Sequence, residues 1–236
     1  MKVGIMQPYF FPYIGYFSLI KYTDKFILFD PVQFIKHGWI ERNRILKQGG
    51  GWMYIAVPLE KHPRETLIKD IQIRKGPWKE KIFSQLTAYK KRAPYYKETL
   101  EVITKALDIQ TKSITHLNHK ILKVVCEYLD IPFESYIFSE MNLTIEQPHA
   151  PDEWALNICK SLGNVDEYVN PPGGLNFFNR DKYEKAGIKL LFQQPILAPY
   201  SQCQPFAFEE GLSIVDVMMF NSKEQINKML DNYTLL

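Results

Sequence analysis

The fold of this 236-residue chain is decided by residues 1–45, MKVGIMQPYFFPYIGYFSLIKYTDKFILFDPVQFIKHGWIERNRI. The apolar runs 3–6 and 26–29 are typical of short buried strands, and residues 13–22 between them have the apolar spacing of a helix. A strand, a helix and a second strand in this order indicate the start of a parallel α/β sheet.

Polar side chains follow each predicted strand where it ends. Gln7 follows the first run, and Asp30 and Gln33 follow the second. The carboxyl ends of parallel strands form the ligand crevice of an α/β sheet, so we predict that these side chains line a binding site. A polar group with a tryptophan comes next, on what we interpret as a loop or helix start over that crevice: Trp39, Arg42, Asn43 and Arg44.

These residue types suit an anionic substrate and a proton transfer. A carboxylate at a strand end can handle a proton, and arginines bind phosphate or carboxylate through charge-assisted hydrogen bonds. His37 lies in the same arginine-rich stretch and is a second candidate for the general acid or base. The alternative for the whole set is a cluster of surface salt bridges.

The turn into the first helix is rich in aromatic residues. Gly15 lies inside the predicted helix, where glycine costs about 1 kcal/mol relative to alanine. It therefore indicates that either a ligand or a neighbouring strand approaches the backbone closely. The aromatic residues around it, Tyr16 among them, suit either a core or a pocket in which rings stack on a substrate. Exposed aromatics would equally suit a homodimer contact.

Beyond residue 45 the pattern predicts further α/β units around a helical block. We predict strands over residues 52–58, 67–73, 133–138, 167–169 and 189–192, and helices over 152–162, 180–186 and 212–220. Three helical segments lie within residues 77–130. The expected architecture is one Rossmann-like α/β domain over residues 1–236, with a mostly parallel sheet and a helical insertion over 77–130.

Two later stretches add candidate binding residues. Gly173 and Gly174 follow a predicted strand, where glycines let backbone amides approach a ligand; a plain tight turn is the alternative. Asp216 and Asn221, on and just after the helix predicted for 212–220, are expected to face the site.

Composition excludes several classes of function. The net charge of +3 is smaller than expected for a dedicated nucleic-acid binder. No apolar run approaches the ~18 residues of a membrane span, and the N-terminus lacks the pattern of a signal peptide, so we expect a cytoplasmic protein.

The cysteines and histidines do not predict a metal site. Cys126, Cys159 and Cys203 are far apart, and no CxxC pair exists. His116 and His119 are three apart on a predicted helix, but no HExxH motif accompanies them. The sequence identifies no cofactor.

Several motifs resemble the WbqC-like family. They are Ile5-Met-Gln-Pro-Tyr with Pro12-Tyr-Ile-Gly-Tyr-Phe, Asp30-Pro-Val-Gln-Phe, Trp39-Ile-Glu-Arg-Asn-Arg-Ile, Gly187-Ile-Lys, and Leu212-Ser-Ile-Val-Asp with Asn221. That family is bacterial and is associated with clusters for surface polysaccharides, such as O-antigen, and for modified sugars. The resemblance implies that the residues matching its signature belong to the site: Gln7, Gly15, Asp30, Gln33, Trp39, Arg42 and Asn43.

A looser resemblance connects the first strand, turn and helix to the nucleotidylyltransferase and pantothenate-synthetase group. In that group a His-x-Gly-His motif at the helix start binds ATP phosphates. Tyr13 and Tyr16 occupy those two positions here. Tyrosine carries no positive charge, so the fold of the group is expected without its ATP chemistry.

The resemblance and the polar strand ends together predict a transferase that adds an acyl or aminoacyl group to a small-molecule substrate, an amino sugar or nucleotide-sugar. Asp30, His37 and Asn43 are the predicted catalytic residues, Arg42 and Arg44 would hold phosphate or carboxylate, and Trp39 and Tyr16 would stack on sugar or base. The alternatives are an ATP-dependent ligase or nucleotidylyltransferase, a non-catalytic sugar- or nucleotide-binding protein, and an acyl carrier or transferase that depends on Cys203.

Overall fold

The computed structural model describes residues 1–203 and 207–236. Over these residues it contains eight strands, which are β1 Lys2–Met6, β2 Lys25–Leu28, β3 Arg42–Leu46, β4 Trp52–Ala56, β5 Ser135–Ile137, β6 Glu167–Asn170, β7 Lys189–Pro195 and β8 Tyr233–Leu235. Over the same residues it contains eight α-helices, which are α1 Ile14–Tyr22, α2 Trp78–Leu86, α3 Tyr96–Leu107, α4 Ile114–Tyr128, α5 Glu153–Leu162, α6 Arg180–Lys185, α7 Ile214–Phe220 and α8 Lys223–Leu230.

Six of these strands form a central sheet in the order β5-β2-β1-β6-β7-β8. Strands β5, β2, β1, β6 and β7 are parallel, and β8 pairs antiparallel with β7. The predicted α/β class with a mostly parallel sheet is confirmed. Gly4 in β1 permits the close packing of the sheet centre, since a Cβ there would lie 2.9 Å from the ring of Phe26.

Helices cover both faces of the sheet, as parallel sheets require. In β2, Phe26 and Leu28 belong to a large core shared with α1–α4, α7 and α8, whereas Ile27 between them belongs to a second core with α5 and α6. Neighbouring residues thus face opposite cores, which explains why the strands read as continuous apolar runs rather than as an alternating pattern.

Residues 77–130 contain the helices α2, α3 and α4, as the sequence predicts. Pro94 lies between α2 and α3, and Ser113 caps α4 by accepting a hydrogen bond from the backbone of His116 at 3.3 Å. Within residues 1–203 and 207–236, no helix combines the length and apolarity needed to cross a lipid bilayer.

Two predictions of local structure are wrong, and two elements were not predicted. The stretch that contains Arg42, Asn43 and Arg44 is not a loop or helix start but strand β3, which forms an antiparallel hairpin with β4. Residues 67–73 form one turn of 3-10 helix, Ile68–Asp70, between isolated bridges, because their backbone bonds go to several separate segments. Helix α8 and strand β8 were not predicted at all.

Candidate functional site

A cleft of about 1040 Å³ opens at the carboxyl ends of β1, β2 and β6. Gln7 follows β1, Phe29 follows β2, and Asn170 ends β6, and all three line the cleft. This is the edge of a parallel sheet at which ligands bind in α/β proteins.

The lining is mainly aromatic. Rings come from the turn after β1, the start of α1, the end of β2, the segment before β3, α5, and β6 with the segment that follows it: Tyr9, Tyr13, Tyr16, Phe29, Trp39, Trp154, Tyr168, Phe177 and Phe178. Phe177 is 52% exposed, so its ring is available to a ligand. Such a surface suits the flat faces of sugar rings and nucleobases.

The turn after β1 is held by hydrogen bonds to its carbonyl groups. We call residues 7–12 the clamped turn. The Tyr16 hydroxyl donates to the carbonyl of Gln7 at 2.8 Å, and the Asn118 amide donates to that of Pro8 at 2.8 Å. The Asn43 amide donates to the carbonyls of Phe10 at 3.1 Å and Phe11 at 3.0 Å. The Ser213 hydroxyl also donates to Phe11 at 2.7 Å, and the backbone amide of Ile214 donates to Pro12 at 2.8 Å. These bonds fix the wall of the cleft that carries Gln7 and Tyr9.

Arg44 is the cation that faces the cleft. Its guanidinium lies between two tryptophans, 5.5 Å from the ring centre of Trp39 and 5.2 Å from that of Trp52. One nitrogen, Nη2, donates to the carbonyl of Gly211 at 3.1 Å. The Nε is buried and has no hydrogen-bond partner among the residues that the structure describes. Because Arg44 lines the cleft, an anionic ligand bound there would gain a charge-assisted contact with it.

Glu210 is the acidic residue among the described lining residues of the cleft. Among the described lining residues, Arg44 and Glu210 are the charged ones. The neighbouring Glu209 is held on both sides by Gln202, which accepts from its amide at 2.9 Å and donates to its carbonyl at 3.0 Å. The cleft therefore presents one positive and one negative group near Gly211.

The tyrosines of the cleft are proton donors rather than bases. Burial raises the pKa of Tyr9, with the nearby Tyr13 adding to the rise, and burial also raises the pKa of Tyr13. The pKa of Tyr16 is raised further because its ring is completely buried. All three hydroxyls keep their protons at neutral pH.

The structure brings eight of the predicted site residues into the lining of this cleft. They are Gln7, Tyr16, Gln33, Trp39, Asn43, Arg44, Gly173 and Gly174. Gln33 also donates to the carbonyl of Arg64 at 2.8 Å, which ties the loop after β2 to a neighbouring segment.

Asp30 does not line the cleft, although it follows β2. Its side chain is 1% exposed and accepts hydrogen bonds from the backbone and hydroxyl of Ser139, at 3.1 Å and 2.7 Å. Burial raises the pKa of this carboxyl, and the bonds from Ser139 oppose the rise. Through these bonds Asp30 connects the end of β2 to the turn Phe138–Glu140.

His37 and Arg42 also lie outside the lining. His37 is exposed with a φ of 65°, and its amide donates to the carboxylate of Glu41 at 2.6 Å. Arg42 donates to the carbonyl of His37 at 2.6 Å and stacks on Tyr54 at 3.9 Å. Both residues shape the turn that leads into β3.

The other predicted residues lie behind the cleft. Gly15 is covered by the ring of Tyr13, which lines the cleft. A Cβ on Gly15 would lie 2.5 Å from that ring. Asp216 is completely buried, and Asn221 donates back to the carbonyl of Val217 at 2.9 Å.

Several lining residues were missed by the sequence reasoning. Trp154 lies on a helix that was predicted but not connected to the site, and Phe177 follows the two predicted glycines. Glu210 precedes the last predicted helix, and only the tertiary fold brings it into the same cleft as Arg44. A strand-end rule identifies residues that follow strands, but it cannot identify loops from other parts of the chain.

The structure offers no metal site in its described part: residues 1–203 and 207–236 contain no group of three or more His, Cys, Asp or Glu placed to hold an ion. Cys126 and Cys159 are buried, and burial raises the pKa of the Cys159 thiol to about 12. Cys203 is exposed and does not line the cleft.

Comparison with known proteins gives a family match and one clear relative. The model of the WbqC-like protein family matches residues 7–228. The uncharacterized protein Rv1507c of Mycobacterium tuberculosis is 28% identical over 228 residues, which cover 93% of each chain. The search of solved structures found no significant match.

Proposed function

Because this chain belongs to the WbqC-like protein family, we propose that it is a bacterial biosynthetic enzyme of modified sugars destined for surface polysaccharide. In this proposal it transfers an acyl or aminoacyl group to the amine of an amino sugar that is linked to a nucleotide. The amine nitrogen attacks the carbonyl carbon of an activated acyl donor, such as a thioester. A nitrogen–carbon bond forms, and the leaving group departs with the electron pair of the bond to carbon.

The observation that carries this proposal is the position of Arg44. Arg44 lines the cleft beside the rings of Trp39 and Trp52, a position that suits the phosphates of a nucleotide whose rings stack on the neighbouring aromatics. A positive group in a mainly aromatic cleft attracts an anion more strongly than the same group in open water.

Glu210 replaces Asp30 and His37 as the proposed base, because it is the carboxylate that lines the cleft. It would accept a hydrogen bond from the neutral substrate amine, take the proton that the nitrogen loses on acylation and pass it to the leaving group. Tyr9 and Tyr13, which stay protonated, would donate hydrogen bonds to the oxygen that develops negative charge during the attack. Asp30 and Asn43 act in this scheme as positioning residues.

A binding experiment with a matched variant tests the proposal. Purified protein is titrated by calorimetry with a nucleotide-linked amino sugar, ATP and a coenzyme A thioester. We expect the nucleotide-sugar to bind and Arg44→Gln to weaken that binding about 10- to 100-fold, the effect of losing a charged hydrogen bond. Arg64→Gln, which removes an exposed arginine outside the cleft, should leave the dissociation constant unchanged.

The outcomes separate the alternatives. Binding of the nucleotide-sugar followed by acylation of its amine, read as a mass increase of the sugar, supports the transferase. Binding without turnover with any acyl donor supports a non-catalytic binding protein. Binding of ATP alone, lost in Arg44→Gln, would favour an adenylating enzyme in spite of Tyr13 and Tyr16.

A further inference from the structure

A second groove lies outside the cleft, between the loop that precedes α2 and the loop that follows α3. Its volume is about 450 Å³. The residues that line it come from the segments 73–79 and 109–117. None of these residues lines the cleft at the sheet edge, so the two cavities are separate.

The groove is strongly basic in a chain that is nearly balanced in charge. The whole chain has 29 basic and 26 acidic residues. The groove, in contrast, is lined by Arg74, Lys75, Lys79 and Lys112, with no carboxylate among its described lining residues. None of these four cations forms an ion pair with any residue that the structure describes.

The two walls of the groove are fixed to each other by backbone bonds. The amide of Ile73 donates to the carbonyl of Lys112 at 2.7 Å, and Gln72 forms a bridge with Ser113. The Lys79 ammonium donates to the carbonyl of Leu107, the last residue of α3, at 2.6 Å. These bonds hold the two segments that carry the cations side by side, so a bound anion could contact cations from both walls.

The floor of the groove is apolar. Ile73 and Leu117 are buried there, and the half-buried ring of Trp78 packs against the main core. The volume falls within the range of roughly 300–1,000 Å³ that is typical of small-molecule sites. A compact ligand of high negative charge would match both the positive charge and the volume of the groove.

We propose that this basic groove is a second binding site, for a ligand that carries two or more adjacent phosphate groups. Arg74, Lys75 and Lys112 would contact the phosphates from both walls, with Lys79 at the end of the groove. Guanidinium and ammonium groups are the side chains that bind phosphate oxygens through charge-assisted hydrogen bonds. This site does not depend on the function proposed for the cleft.

Inorganic triphosphate is the probe that tests the site, because it has no base or sugar to enter the aromatic cleft. Its binding is measured by calorimetry at about 0.15 M salt, where weak surface attraction is screened. We expect the double variant Lys75→Gln, Lys112→Gln to weaken binding about tenfold or more. Arg44→Gln removes the cation proposed to hold phosphate in the cleft, so triphosphate binding that remains in this variant and is lost on adding Lys75→Gln, Lys112→Gln is assigned to the groove.

The control removes the same charge elsewhere on the helical region. Lys90 and Lys91 are exposed and lie outside the groove, so the double variant Lys90→Gln, Lys91→Gln should keep the affinity within about twofold. Circular dichroism establishes that both double variants fold. Absence of triphosphate binding to the unchanged protein, or an equal loss in both double variants, would overturn the proposal.

Discussion

Asp216 is a carboxylate that the fold buries and surrounds with hydroxyl groups. It accepts hydrogen bonds from Tyr89 at 2.7 Å, from Tyr200 at 2.5 Å and from Gln202 at 3.0 Å. Burial raises its pKa to about 6, while these bonds and the charge of Arg92 limit the rise. Since Gln202 in turn holds Glu209, Asp216 positions the segment that carries Glu210.

The raised pKa predicts a pH dependence of stability. Between the ordinary pKa near 4 and about 6, the folded state binds more protons at this site than the unfolded state, so the free energy of unfolding falls as pH rises. The loss from this group is roughly 3 kcal/mol. The side chain of the Asp216→Asn variant cannot ionise. We therefore expect that, in urea unfolding measured from pH 4 to pH 7, the free energy of unfolding of the unchanged protein falls relative to that of the variant as the pH rises. A difference between the two proteins that stays constant with pH would contradict this.

The positions of single residues were only partly predictable from the sequence. The strand-end rule placed Gln7 and Gln33 in the cleft because it depends only on where a strand stops. It could not show that Asp30 is bound to Ser139, which lies 109 residues further along the chain. The direction of a side chain depends on partners that become neighbours only in the folded protein.

The clamped turn is the element that shapes the cleft. Asn43 is 3% exposed, and its side-chain amide forms hydrogen bonds with this turn and with its own strand. It donates to the carbonyls of Phe10 and Phe11 and accepts from the backbone amide of Arg44 at 2.8 Å. All of its hydrogen-bonding contacts in the structure are therefore structural. Its predicted catalytic role stays a prediction, and positioning is the role that its contacts support.

Asn43→Ala should destabilise the protein and loosen the cleft. The carbonyl of Phe10 would lose its donor, while that of Phe11 would keep Ser213, at a cost of about 1–3 kcal/mol in the free energy of unfolding. Urea unfolding measures this loss, and Asn176→Ala, at an exposed asparagine, serves as the control with little change expected. A fully stable Asn43→Ala protein would show that water or a neighbouring group replaces the amide.

Helices and strands with a regular apolar pattern were predicted correctly from the sequence, whereas a strand of mixed polarity was not. The first two strands and the helices within residues 77–130 have long apolar patterns. Strand β3 begins Arg-Asn-Arg, and its arginines stack on aromatic rings of β4 and on Trp39, so the sequence lacks apolar alternation there. Helix α8, in contrast, begins with a signal that can be read from the sequence, the capping box of Ser222 and Gln225.

For the whole molecule, the packing predicts one cooperative unit. Ile82 and Leu86 of α2 and Ile121 and Val125 of α4 share a core with Phe26 of the sheet. We therefore expect residues 1–236 to unfold in a single transition, with far-ultraviolet circular dichroism and tryptophan fluorescence giving the same midpoint in urea. Helix signal lost at a lower urea concentration than fluorescence would show instead that residues 77–130 form an independent unit.

The clamped turn has a consequence for the timing of biosynthesis. Its carbonyls bind Ser213 and Ile214, about two hundred residues later in the chain, and Asn118 between them. Contacts so distant along the chain form late, because a long loop must close first. A ribosome must therefore release nearly the whole chain before the pocket can take its shape. An incomplete chain would not compete with the finished protein for its ligand.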